Sequence, residues 1–198
     1  MAQQQLGFYV NQQACMGCKT CVISCKDKND MEVGVNLRRV VEHSGGGFAQ
    51  VGNSYVPNVY AYWISLSCNH CENPKCVQNC PTGACHKNAA DGTVAIDQEV
   101  CIGCKYCTWS CPYGAPQYSE AKGKTQKCDL CADYRAQGKE PSCVTSCPMR
   151  AIEFGPIDEL KQKHPDGVTW TEGLPDPSIT KPNTVWKPHK SAVTGGRN

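Results

Sequence analysis

The stretch Cys101-Ile102-Gly103-Cys104-Lys105-Tyr106-Cys107-Thr108-Trp109-Ser110-Cys111-Pro112 constrains this chain most, because its four cysteines are two, two and three residues apart and end on proline. Three thiolates on one tight loop meet three corners of an iron-sulfur cubane, while the fourth is carried past it to a second cluster. One such run therefore implies two 4Fe-4S clusters.

The chain holds 17 Cys in 198 residues, an odd number, and most spacings are too tight for cross-bridging. Metal ligation accounts for this better than a disulfide framework. Structural zinc is the weaker alternative, since zinc has no use for a third Cys two residues beyond a Cys-x2-Cys pair. Three Phe and four Trp leave a thin apolar core, so clusters are expected to act as internal staples. The formal charge of +2 counts every Cys as neutral. Four oxidised clusters with their thiolates, at about −2 each, bring the loaded protein to about −6, which argues against a nucleic-acid partner.

Four cysteine motifs follow one another. Motif one is Cys15, Cys18, Cys21 and Cys25; motif two is Cys68, Cys71, Cys76 and Cys80; motif three is the opening run; motif four is Cys128, Cys131, Cys143 and Cys147. The segment Phe8 to Cys15 repeats as Val94 to Cys101 at a constant offset of 86 residues, so motifs one and three have equivalent entrances. Cys80-Pro81 and Cys147-Pro148 likewise open equivalent exits. Between motifs two and three, the turn Ala89-Ala90-Asp91-Gly92 and the strand Thr93 to Ile96 predict a hairpin.

Motif four has the exit of motif two and motif one has the entrance of motif three. Placing residues 148 to 154 beside residues 7 to 15 thus rebuilds the central unit with its connection cut. Motif four is expected to pair with motif one, and motif two with motif three. Exchange of the fourth Cys within each pair gives cluster 1 on Cys15, Cys18, Cys21 and Cys147, and cluster 2 on Cys128, Cys131, Cys143 and Cys25. Cluster 3 takes Cys68, Cys71, Cys76 and Cys111, and cluster 4 takes Cys101, Cys104, Cys107 and Cys80. Cys85 is left over and reads as a small buried core residue.

The expected fold class is α+β: two bacterial-type two-cluster ferredoxin units related by pseudo-two-fold symmetry and nested in the chain. Residues 1–25 and 120–155 form the outer unit and 68–119 the inner one. Residues 26–67 form a β-rich, Cys-free insertion packed outside the cluster core, and 156–198 an extended, proline-rich C-terminal tail. Ile179, Val185 and Trp186 suggest that the tail lies on this protein or on a partner.

Arg38-Arg39 reads as a solvated pair. Lys19, Lys105 and Lys127 stand beside ligands, either solvated or tuning a potential. His70 reads as a hydrogen-bonded loop residue, and Trp109 and Tyr113 as packing that shields a cubane. No catalytic residue, nucleotide loop or open three-Cys iron site is evident. No apolar run is long enough to span a membrane, and Met1 to Gln5 does not resemble a signal peptide.

With the motifs placed, the chain resembles the four-cluster electron-transfer subunits of molybdopterin oxidoreductases. Ser67 to Cys71, Cys111 to Tyr118 and Phe154 to Leu160 resemble the dimethyl sulfoxide reductase branch. The resemblance covers about residues 6 to 190. It implies a heterotrimer in which this chain carries single electrons from a membrane anchor that oxidises menaquinol to a catalytic subunit holding bis-molybdopterin guanine dinucleotide. It also implies that clusters 1 and 2 face the catalytic subunit and clusters 3 and 4 the anchor. Location is then peripheral to the cytoplasmic membrane, on the periplasmic face by co-export with the catalytic partner. In the related nitrate reductases the third Cys of motif three is a Trp and that cluster has three irons, whereas here it is Cys107. A freestanding polyferredoxin, or a formate dehydrogenase-type subunit with reversed electron flow, are the alternatives.

Overall fold

Residues 4–192 are described by the computed structural model; residues 1–3 and 193–198, the ends of the expected outer unit and tail, lie outside them. The chain enters along β1 (Leu6–Asn11), turns through motif one and forms α1 (Thr20–Lys28). The insertion follows as β2 (Arg39–Gly45), β3 (Phe48–Val51), β4 (Ser54–Pro57) and β5 (Tyr60–Leu66). Motif two carries the single turn α2 (Lys75–Gln78) and leads into β6 (Cys85–Lys87) and β7 (Val94–Ile96). Motif three carries α3 (Tyr106–Ser110), followed by the hairpin β8 (Gln117–Ser119) and β9 (Lys124–Gln126). Motif four holds α4 (Ala132–Arg135) and α5 (Ser142–Thr145), and the chain continues through β10 (Ile152–Pro156), α6 (Ile157–Lys163), a 3-10 turn at Pro177–Ile179 and β11 (Thr184–Lys187).

The three-stranded sheet runs β10-β1-β11, with β1 in the centre. Strand β1 is buried on both faces: Phe8 and Val10 face the cysteine-rich core, while Tyr9 packs with Ile157, Leu160 and Val185 under α6. Burial on both faces explains why a run this short reads as almost continuously apolar.

Two strand pairings share one register. Strand β1 opposes β10 with Val10 facing Ile152, Tyr9 facing Glu153 and Phe8 facing Phe154. Strand β7 opposes β6 with Ile96 facing Cys85, Ala95 facing His86 and Val94 facing Lys87. Each β1 residue lies 86 positions before its β7 counterpart, and each β10 residue 67 positions after its β6 counterpart. One hairpin is closed by a local turn; the other joins the two ends of the chain.

The insertion does not stay outside the core. Strands β2 and β5 pair antiparallel from Arg39 facing Leu66 to Gly45 facing Tyr60, and Tyr62, Ile64 and Leu66 are buried with the cysteines of motifs one, two and four. The tail is also more structured than an extended segment. It opens with α6, and β11 adds to β1 in parallel, seating Trp186 at 1% exposure in the main core.

Candidate iron-sulfur centres

Tight loops need backbone in the left-handed region, and the first Cys-x2-Cys loop of each motif supplies it at the same place. The residue before the second Cys has φ of +71° at Gly17, +43° at His70, +70° at Gly103 and +61° at Leu130. Gly17 and Gly103 adopt this conformation without a Cβ clash. His70 and Leu130 adopt it under strain, held because both side chains are fully buried.

Around these loops the structure brings sulfur atoms of distant motifs together. Cys15, Cys18, Cys21 and Cys147 line one enclosed apolar cavity. Cys68, Cys71, Cys76 and Cys111 line another. Cys143 and Cys131 are near enough to bear electrostatically on Cys25, and Cys25 and Cys143 on Cys128. Cys107 packs with Cys76 and Cys80, and Cys101 bears on it electrostatically, with Cys104 on the same loop. Among the described residues no three His, Cys, Asp or Glu converge to hold a single metal ion. The thiols of the two cavities instead surround a volume, which fits a cubane better than zinc.

Three of the Cys-Pro sulfurs accept backbone N–H groups from the chain that turns behind them: Cys80 from Cys85 at 3.3 Å, Cys111 from Ala115 at 3.5 Å and Cys147 from Ala151 at 3.4 Å. Side chains add to these, with Thr20 Oγ1 donating to Cys18 Sγ at 3.3 Å and Asn29 Nδ2 to Cys25 Sγ at 3.6 Å. Donors aimed at thiolate favour the reduced form of a ligated cluster. Burial pushes the free thiols of Cys25 and Cys71 up to about 12, so ligation must displace their protons.

Two buried cations stand among these sulfurs. Arg38, read from sequence as solvated, is 1% exposed. Its Nη1 donates to Ser65 O at 3.1 Å and Ser65 Oγ at 3.0 Å, its Nη2 to Ser67 Oγ at 3.0 Å, and its guanidinium lies 4.7 Å from the centre of the Phe8 ring. Burial opposes its charge, yet the nearby Cys143, Cys21, Cys128 and Cys25 outweigh that and hold its pKa above the ordinary value. Lys127 is 6% exposed and donates to Val94 O and, at 2.8 Å, to Cys128 O. Cys68, Cys128, Cys76 and Cys85 hold its pKa up against burial in the same way. Sequence reasoning missed Arg38 because nothing in a Cys-free insertion marks a residue that folds back into the core.

The remaining expectations divide. His70 is buried and accepts from Val94 N at Nδ1 (3.0 Å), and burial first, then the charges of Lys127, Arg135 and Lys87, keep it neutral. It thereby ties motif two to β7. Cys85 is buried, packed with Cys76, Val94 and Cys107. Tyr113 is buried, but Trp109 is 71% exposed and packs edge-on against Tyr106, because the short helix α3 turns it outward. It does not shield a cubane. Lys105 lies 3.8 Å from the Tyr118 ring centre on the surface.

Comparison with known proteins agrees with this geometry. Residues 59–157 match the family described as 4Fe-4S dicluster domain, and residues 12–31 the one described as 4Fe-4S binding domain. The chain is 50% identical to the iron-sulfur subunit of the anaerobic dimethyl sulfoxide reductase of Escherichia coli over 192 residues, covering 97% of this chain and 93% of the relative. It belongs to that family of iron-sulfur subunits. The corresponding subunit of Haemophilus influenzae is 47% identical, covering 98% of this chain and 94% of its own length. A subunit of the sulfite dehydrogenase of Allochromatium vinosum is 37% identical, covering 78% of this chain and 70% of its own. As a family member the chain is an electron-transfer subunit that uses 4Fe-4S clusters, and it partners a catalytic subunit within an oxidoreductase complex. No helix of the described residues is long and apolar enough to cross a membrane.

Proposed function

We propose that this chain holds four 4Fe-4S clusters on the sixteen cysteines assigned above and passes single electrons along them. The carrying observation is the order of the cysteine groups. Cys21 of cluster 1 bears electrostatically on Cys143 of cluster 2, Cys68 of cluster 3 on Cys128 of cluster 2, and Cys76 of cluster 3 on Cys107 of cluster 4. These neighbours support reading the groups as one unbranched line. The matching registers of β1-β10 and β6-β7 support reading the outer and inner units as related by a pseudo-two-fold axis, with residues 26–67 inserted and 156–198 closing the outer unit.

Each end of the line meets the surface among exposed apolar residues. Cys18 is exposed beside Met16, Ile23 and Met149 at one end, and Cys101 and Cys104 are partly exposed near Ile102, Tyr106 and Trp109 at the other. Such apolar rims suit docking partners that exclude water around an exchanging redox centre. Similarity to the iron-sulfur subunit of dimethyl sulfoxide reductase supports a direction. Electrons enter at cluster 4 from an integral membrane anchor oxidising menaquinol and leave at cluster 1. The recipient is a bis-molybdopterin guanine dinucleotide subunit reducing dimethyl sulfoxide or a related S-, N- or Se-oxide. The complex then sits at the cytoplasmic membrane on its periplasmic face. When bound, the clusters supply one-electron storage; the protein fixes their order, buries them and sets the charge around them.

Iron analysis and redox-poised electron paramagnetic resonance of the purified complex test this. The expected result is about sixteen irons in this chain and four separable one-electron signals. About four irons, or a three-iron signal independent of oxidative damage, would overturn it.

A further inference from the structure

Arg38 and Lys127 are the buried charged side chains of the described residues, and neither meets a carboxylate. An unpaired cation in a dry interior is costly, and serine hydroxyls and carbonyl oxygens offset only part of that cost. The anions that compensate these charges must be the ligated sulfurs. Their positions are specific: the sulfurs that bear most on Arg38 belong to clusters 1 and 2, and those that bear most on Lys127 belong to clusters 2 and 3 or are the unligated Cys85. None of the sulfurs foremost around either cation belongs to cluster 4. Between clusters 3 and 4 lies the uncharged residue Cys85, packed against Cys76 and Cys107, where no buried cation stands.

Taking the ligand sets proposed above as given, we propose that Arg38 and Lys127 are positioning charges set at the first two junctions of the cluster line, raising the reduction potentials of the clusters on either side. Each hop oxidises one cluster, reduces its neighbour and takes up no proton, so the negative charge of the receiving site rises by one unit. A fixed cation at low dielectric favours that reduced state, and solvent salt does not screen it. Cluster 2, flanked by both cations, receives the largest stabilisation and cluster 4 the smallest.

The test uses the intact complex carrying Arg38→Gln or Lys127→Gln, which remove charge and keep hydrogen-bonding capacity, beside the charge-retaining Arg38→Lys and Lys127→Arg. Redox-poised electron paramagnetic resonance should show clusters 1 and 2 shifted to lower potential in Arg38→Gln, and clusters 2 and 3 in Lys127→Gln, with cluster 4 unmoved in both. The charge-retaining variants should hold near wild-type values. Loss of clusters in the neutral variants alone would also support the assignment, since charge would then be needed to retain them. Equal shifts in all four clusters, no shift with four clusters intact, or loss of clusters in charge-retaining and neutral variants alike would overturn it. Iron content and spectra of the wild-type complex judge the ligand sets separately from the pattern of shifts.

Discussion

The inner and outer units proposed above share one strand-pairing register, in β6-β7 and in β1-β10, but close it in different ways. In the inner unit the β6-β7 hairpin joins motif two to motif three through the turn at Asn88 to Thr93, where Asn88 N donates to Thr93 O at 2.8 Å. In the outer unit the equivalent pairing joins β1 (Leu6–Asn11) to β10 (Ile152–Pro156) from opposite ends of the chain, and β11 and α6 brace it. Local closure carries little loop entropy, whereas distant closure must be held by extra burial. The outer closure therefore depends on the tail, whereas the tail meets the inner unit through hydrogen bonds to motif two, such as Asn183 N to Asn69 O at 2.9 Å, and not through its hairpin.

The largest predicted effect breaks the inner unit alone. Cys107→Ser should convert cluster 4 to a three-iron centre and reduce quinol-dependent activity to background while clusters 1 and 2 keep their spectra. Quinol-dependent turnover and electron paramagnetic resonance check this, and wild-type turnover would place the electron entry elsewhere.

Trp186→Ala addresses the outer unit. Removing this fully buried ring should cost about 3–5 kcal/mol. Because Trp186 pairs with Val10 and bridges Val168, the loss falls on the outer closure. Denaturant unfolding followed by cluster absorbance and spectra should show clusters 1 and 2 lost before clusters 3 and 4. Loss of all four together would mean the units are not separately closed.

Gly17→Ala and Gly103→Ala compare the two loops at one position. Each costs roughly 1–2 kcal/mol for a left-handed non-glycine residue. At Gly17 the new methyl meets the Trp63 ring, a side chain that can turn, but at Gly103 it meets the backbone oxygen of Gly123. Gly103→Ala should therefore be the more destabilising, a ranking that thermal unfolding can read.

The smallest effect concerns the join between units, where Asp91 of the inner turn accepts from Arg135 of α4 at 3.1 Å. Burial opposes the Asp91 charge, but Thr93 and Arg135 outweigh it and hold its pKa below the ordinary carboxylate value. Its contribution is then present above about pH 4 and fades as pH falls through the depressed folded value. Asp91→Asn should cost about 0.5 kcal/mol after solvent screening, and stability measured at about pH 7 and about pH 3 should differ less in the variant.

Much of this was legible because ligand spacing is local chemistry. The cysteine motifs, the 86-residue repeat and the hairpin around Gly92 lie in short windows, where loop geometry alone limits what four thiols can do. Trp109 was misread because apolar character says nothing about direction on a one-turn helix. Arg38 was misread because charge ordinarily means solvent, and its compensating sulfurs come from two motifs, one of them about a hundred residues away in the chain.

Cysteine number and spacing, read by themselves, determined the iron-sulfur chemistry and the pairing of equivalent entrances and exits, since a tight loop has few ways to present thiolates. Tertiary structure decided the rest: that β11 folds back beside β1 to brace the outer unit, and that Arg38 and Lys127 lie buried between groups of sulfur. The reason is physical. A strand's partner and a buried charge's counter-charge are both supplied by distant segments, and only the folded chain brings those segments into contact.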